Sequence, residues 1–357
     1  MKELPAEQKR YKLLDFDKFL IIRLSSLGDI IHTLPAFSTL RKKFPEAEIS
    51  WVVEKKGKSI LDFVPGIDEV ITVDTEKWRI KPKKIWLEIS KLKRKIKNRN
   101  QVVLDFQGLM KSGFISSLSR SRKRIGFQRK NLKEPLASLF YTERLKEIPE
   151  EIHVISKNLK LLSKIGIKEE NYEFPLQLPA ELSESVKVNL RKIGHKEGKK
   201  LILFNVGAGW ETKRWFPDKW VELWKQMKQK DLFPLLLWGN EREKALALKV
   251  SQQTSIPVVP PFSLKEIMAL VKMSSLLVSG DTFALQVACA FSVPVVGIFG
   301  PTNPQRNGPF RGHDKVAFHR MECSYCYKRT CPSLECLKKI TANEVAELSI
   351  QQLKENA

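Results

Sequence analysis

Short apolar runs alternate with amphipathic segments along this chain, and the alternation runs through twice. In the first half, residues 18–24 (KFLIIRL), 48–53, 69–73 and 101–106 are strand-like, with helical stretches between them. Val102, Val103 and Leu104 are apolar on consecutive positions, as in a parallel strand covered on both faces. The segment 83–97 reads as a helix with Ile85, Trp86, Ile89, Leu92 and Ile96 on one side. A polar stretch, 166–200, interrupts the pattern with Pro175, Pro179 and the run HKEGKK. The alternation then restarts, with strands at 201–206, 233–238, 275–279 and 294–299 and helices at 217–229, 241–253, 263–273 and 283–290. Pro217 suits a first helical turn, and Thr341 is placed to cap a final helix over 342–354. Strand–helix series of this kind wind right-handedly into doubly wound parallel sheets, so the fold class is α/β with two Rossmann-like domains. The expected boundaries are 1–175, a linker at 176–199, a second domain at 200–340 and a closing helix at 341–357. Ligands of such sheets sit beyond the carboxyl ends of the strands, and with two domains the active cleft is expected between them.

The 357 residues are enough for two such cores. No apolar run approaches the length of a bilayer span, and the first residues are too charged for a secretory segment, so the protein is expected to stay where it is made. The five cysteines are therefore expected to be reduced thiols rather than a disulfide framework. Four of them, Cys323, Cys326, Cys331 and Cys336, crowd into fourteen residues, tighter than the usual two-knuckle zinc pattern; the pair spacing still permits a metal knuckle, so a structural zinc is the alternative to reduced thiols in a compact loop. Charge is the unusual feature: 63 basic against 40 acidic residues leave +23, which favours an anionic partner. The excess clusters in the first half. Residues 77–99 hold eleven Lys or Arg and one acid, Glu88, and residues 120–133 hold seven basic residues and no acid.

Chemistry is sought in the loops after strands. Ser25-Ser26-Leu27-Gly28-Asp29 follows the first, with Gly28 free to take a backbone conformation closed to other residues and Asp29 starting the helix. A bare N-cap is the plain reading of such an Asp. No G-x-G-x-x-G is present, so a dinucleotide cofactor gains no support. After the first strand of the second half comes N-V-G-A-G-W-E-T-K-R-W-F-P (205–217). It lacks the Walker spacing, yet small residues, a hydroxyl and Lys213 suit a pyrophosphate. Ser279-Gly280-Asp281-Thr282 should offer helix N-terminal amides to an anion, and Glu241 or Glu243 is placed to accept from ribose hydroxyls. Each signal is weak alone; together they outline a nucleotide-diphosphate site.

The run R-L-S-S-L-G-D-I-I-H-T-L-P-A (23–36) resembles the opening of the ADP-heptose:lipopolysaccharide heptosyltransferases, glycosyltransferase family 9. In order along the chain, W-V-V-E (51–54), K-W-R (77–79) and D-F-Q-G-L-M-K-S (105–112) continue the likeness, and K-E-P-L-A-S-L-F-Y (133–141) is similar to the type I enzymes. The resemblance implies a GT-B fold, an ADP-heptose donor on the second domain and a Kdo–lipid A acceptor on the first. It places Asp29 as catalytic base. It assigns Thr212, Lys213, Glu241, Asp281, Thr282 and Phe283 to the donor, and Ser26, Gly28, Arg79, Gln107, Lys111 and Lys133 to the acceptor. Phe283 and Gln286 stand where the family usually has glycine and histidine, and Asn131-Leu132-Lys133-Glu134 stands for its S-A-R-E. The implied reaction is a one-step displacement with inversion that needs no cofactor and no metal, carried out on the cytoplasmic face of the inner membrane. The anionic membrane surface is then a partner of the basic first domain. Other readings are a related core transferase with a different sugar or acceptor, a non-catalytic nucleotide sensor, and a nucleic-acid-binding protein. The basic stretches lack the interleaved aromatics that the last would need.

Overall fold

A computed structural model describes residues 16–75, 78, 82–99, 101–168 and 172–356, with backbone alone at 82–84. The chain divides into two compact units, Met1–Gln177 and Leu178–Ala357. The first holds β1 (Lys18–Ile22), β2 (Glu48–Glu54), β3 (Glu69–Val73), β4 (Val102–Asp105), β5 (Lys123–Phe127) and β6 (Glu143–Leu145). All pair in parallel, in the order β3-β2-β1-β4-β5-β6. The chain leaves β1 towards β2 on one side and returns to β4 on the other, so the order reverses between β1 and β4. That is the switch point where doubly wound sheets bind ligands. Helices α1 (Leu27–Ile31), α2 (Leu34–Lys43), α3 (Lys55–Leu61), α4 (Pro82–Ile96), α5 (Met110–Leu118) and α6 (Val154–Leu161) make the crossovers and cover the sheet. Leu20, Ile22, Val52, Ile71 and Val103 of the strands pack on Leu92 and Ile96 of α4 and on Ile115 of α5.

The second unit has β7 (Lys200–Asn205), β8 (Leu232–Leu237), β9 (Leu276–Gly280), β10 (Val295–Ile298) and β11 (Lys315–Ala317), parallel in the order β11-β10-β9-β7-β8. Its switch point lies between β7 and β9. The helices are α7 (Ala180–Lys192), α8 (Pro217–Met227), α9 (Glu241–Thr254), α10 (Leu264–Lys272), α11 (Phe283–Ala290), α12 (Pro304–Asn307), α13 (Glu335–Lys338) and α14 (Ala342–Glu355).

Several expectations change. The single helix expected from Asp29 breaks at His32 and Thr33, because Pro35 in the next turn cannot donate to the preceding one. The stretch 176–199 contains α7, a helix with Val186 and Leu190 buried against the unit that follows. The basic cluster 120–133 contains β5, whose Ile125 and Phe127 are buried; Arg124, half-buried, satisfies its guanidinium on backbone, Nε donating to Phe140 O at 2.8 Å and Nη1 to Ser121 O. Trp86, expected on the apolar side of its helix, is 78% exposed. The buried stripe is Leu92 and Ile96, with Ile85 and Ile89 partly covered, and Trp86 lies one residue, about 100°, round from it. The sheet of the second unit gains an edge strand, β11, beyond the run 294–299.

Candidate active site

At the first switch point, α1 begins at Leu27 with Ser26 as N-cap, and Asp29 is its third residue rather than its first. The Ser26 backbone N–H and hydroxyl both donate to Asp29 Oδ2 at 2.9 Å. Arg23, a charge buried at the end of an apolar strand, places Nη2 2.7 Å from Asp29 Oδ1, and its Nη1 donates to Phe106 O. Burial is the largest influence on the Asp29 carboxyl and pushes its pKa up. Arg23, His32 and the Ser26 hydrogen bonds together outweigh it and hold the group below its ordinary range. Asp29 is thus ionised, fixed at both oxygens and still 35% exposed. Gly28 sits inside the first turn of α1 in ordinary helical conformation, so its expected special backbone is not used.

Gln107, after β4, turns its Oε1 to accept from the N–H groups of Leu24 and Ser25, both at 3.0 Å. It holds the first loop in place across the switch point, which a contact with an acceptor alone would not do. Asp105 beneath it is buried and accepts from the N–H groups of Gln107 and Gly108 and from Tyr141 Oη at 2.8 Å. Here a glycine is required, because Gly108 has φ +68°. Lys111, at the start of α5, lies 3.4 Å from Glu54 Oε1 and donates to Thr75 Oγ1 at 3.1 Å. Ser26 and Lys111 line one cavity of about 390 Å³ with Glu54, Lys55, Gly57 and Asp74. Lys133 is exposed beside Glu134, whose carboxylate accepts from Met110 N at the head of α5. Lys77 and Arg79 lie outside the described residues.

At the second switch point, Asn205 ends β7 and donates from Nδ2 to Ser279 Oγ and Thr282 Oγ1, both at 2.9 Å, tying the loops after β7 and β9 together. Lys213 Nζ lies 2.6 Å from Asp281 Oδ2, the two side chains 15% and 12% exposed, and sits 4.3 Å from the centre of the Trp210 ring. Gly280 permits this approach: a Cβ there would stand 2.8 Å from Lys213 O. Thr212 is buried, and its hydroxyl donates to Lys328 O at 2.7 Å, so it anchors the loop instead of facing a ligand. Phe283 opens α11, partly exposed. Gln286 is buried and donates to Asn307 O at 2.8 Å, joining α11 to α12. Of the two acids on α9, Glu241 is exposed and paired with Lys244 at 3.7 Å. Glu243 is buried, accepting from Gly239 N and Asn240 Nδ2 at 2.8 and 2.7 Å. A Cβ on Gly207 would collide with Glu243, so the glycine of that loop makes room for a carboxylate.

The cysteine segment is the feature whose role sequence reasoning missed. Its backbone lies over the loops after β7 and β10: Tyr327 N donates to Pro301 O at 3.1 Å, Lys328 O receives Thr212, and Cys336 packs against Gly300. Tyr325, Tyr327 and Leu334 all have left-handed φ, a conformation that persists where surrounding contacts impose it. Its four thiols are free, and among the described residues no group of three or more His, Cys, Asp or Glu is placed to hold a metal. Arg23 and Asn205 were also passed over. The signal for both was a polar side chain closing an apolar strand, where burial demands a partner.

The family model described as glycosyltransferase family 9 (heptosyltransferase) matches residues 89–337. Lipopolysaccharide heptosyltransferase 1 of Campylobacter coli is 32% identical over 81% of this chain and 86% of its own length. That of Pseudomonas aeruginosa is 29% identical over 88% and 87%. Among solved structures, the E. coli heptosyltransferase WaaC with ADP matches at TM-score 0.75 and 24% identity, over 95% of this chain and 100% of that one, and so shares the GT-B fold of two Rossmann-like domains. The same enzyme with ADP-2-deoxy-2-fluoro heptose matches at TM-score 0.72. On its sequence match and its fold, the chain belongs to glycosyltransferase family 9, the heptosyltransferases, and is a glycosyltransferase.

Proposed function

We propose that this enzyme transfers heptose from ADP-heptose to a Kdo residue of Kdo–lipid A, in assembly of the lipopolysaccharide inner core. The observation that carries the reading is the ionised, doubly held Asp29 beside the 390 Å³ cavity at the first switch point. Its relatives carry the name lipopolysaccharide heptosyltransferase 1, and the WaaC structures hold ADP and an ADP-heptose analogue.

In this mechanism Asp29 accepts the proton of an acceptor hydroxyl as that oxygen attacks the anomeric carbon. The bond from that carbon to the diphosphate breaks, ADP leaves with the electron pair, and the anomeric configuration inverts. A carboxylate with a depressed pKa is a weak base, so most of the barrier must fall through positioning and through stabilisation of the departing charge. Lys213 and the amides that open α11 are the groups for that task. Lys111, Lys133 and Arg79 would meet the acceptor's anionic groups. The first unit's basic surface would work against the cytoplasmic leaflet, and no helix among the described residues is long and apolar enough to cross it.

Phe283 and Gln286 favour one alternative, a related core transferase with a different sugar donor, because Phe283 opens α11 and Gln286 is engaged by Asn307 O where the family usually has glycine and histidine. A transfer assay with Kdo–lipid A, comparing ADP-heptose with other sugar nucleotides and weighing the product by mass, decides between them. A product heavier by one heptose, lost in Asp29→Ala, is the expected result. No transfer from ADP-heptose, or full turnover in Asp29→Ala, would overturn it.

A further inference from the structure

We infer that Arg329, delivered by the cysteine segment, is a second cation for the donor's diphosphate. The inference rests on the nucleotide-diphosphate reading of the second unit. Lys213, the cation that reading assigns to the diphosphate, already has a carboxylate 2.6 Å away, so the Lys213–Asp281 pair brings almost no net positive charge. A departing diphosphate carries two or more negative charges and needs more than such a pair.

Arg329 supplies what is missing. Its guanidinium carbon lies 5.1 Å from the centre of the Trp210 ring, the same ring that Lys213 Nζ approaches at 4.3 Å. Two cations share one aromatic side chain, which attracts both through its electron-rich π system. Arg329 is exposed and has no ion-pair partner among the described residues, so its fork of N–H donors is open to a ligand. The segment that carries it is anchored beside Lys213 itself. The hydroxyl of Thr212, the residue before Lys213, bonds the carbonyl of Lys328, the residue before Arg329, at 2.7 Å. The Tyr327 ring on the other side is held by Pro301, Asn303 and Asn307 through its backbone and hydroxyl. The cysteine segment thus places a bidentate anion-binding group at the second switch point.

The test is calorimetric titration of the whole enzyme with ADP, AMP and adenosine, for the native chain, Arg329→Ala and Arg329→Lys, with melting temperatures alongside. Arg329→Ala is expected to weaken ADP about tenfold, the loss of one charge-assisted contact, while adenosine changes little. Arg329→Lys should recover part of the ADP affinity, because it keeps the charge and loses the fork. Equal losses for ADP, AMP and adenosine, or no loss for any, would overturn the inference and leave the donor reading standing. A native enzyme that binds ADP no better than adenosine would sink both.

Discussion

At Asp29 the ion pair and the hydrogen bonds act in the same direction: they hold the carboxylate charged and oriented, with Arg23 on one oxygen and Ser26 on the other. Asp29→Ala should lower kcat/KM by a factor of about 10²–10⁴, the usual share of a general base, with ADP affinity within a few-fold. The depressed pKa sets the pH dependence. The acid limb of kcat/KM is expected below the ordinary Asp value of about 3.9. Stability linked to Asp29 follows the same sign: fully present above the unfolded-state pKa, it is lost as pH falls through the lower folded value. Arg23→Met removes the leading stabiliser of the charged form, so the acid limb should move to higher pH. An unmoved limb would detach Arg23 from the titration. At Lys213, substitution by Ala should raise donor KM and cost about 2–4 kcal/mol in kcat/KM. It also leaves the carboxylate of Asp281, only 12% exposed, without its partner, so the melting temperature should fall with it. Unchanged donor kinetics would remove Lys213 from the donor site.

Among the elements, α4 exposes two large apolar side chains, Trp86 and Leu87, on the side away from its core stripe. Its core stripe of Leu92 and Ile96, and the exposure of Leu87 opposite it, were legible from the 3.6-residue period, whereas the 78% exposure of Trp86 was not. Apolar residues next to a stripe on the helical wheel join it or leave it by the width of the groove they meet, which the period alone does not give. Lys95 lies 3.9 Å from Glu69 of β3, but Trp86, Leu87 and Arg94 face outwards together, the arrangement of a helix that lies in a membrane interface. Sedimentation with anionic vesicles should therefore weaken in a Trp86→Ser, Leu87→Ser double variant, and raised salt should weaken the native protein further. Turnover on a detergent-dispersed acceptor should stay near native. Equal vesicle binding by the variant would move the contact elsewhere.

For the whole molecule, the proposed division of labour makes a kinetic prediction. Lys111→Ala and Arg79→Ala, in the first unit, should raise acceptor KM with donor KM near native, while Lys213→Ala, in the second, should do the reverse. Varying the two substrates separately measures both. Donor KM shifting in Lys111→Ala would reassign the first unit. Lys111 carries an internal cost as well, since Glu54 loses its cation, and Lys111→Arg should retain that pair.

Most of the parallel strands, the two strand–helix series and the loops worth examining were legible in the sequence. Those depend on local periodicity and on side chains that must be buried, and both are written in neighbouring residues. It also carried the family, because R-L-S-S-L-G-D and D-F-Q-G-L-M-K-S keep residue types in fixed order along the chain. What those residues touch was set by the packing of the folded chain. Gln107 steadies the first loop, Thr212 anchors the second, and Glu243 rather than Glu241 turns inward. It also brought β5 out of a basic cluster and set the cysteine segment, more than a hundred residues along the chain, over Trp210 and Lys213. Contacts across such separations arise from the strand order, and strand order follows from how the crossovers pack rather than from any local pattern.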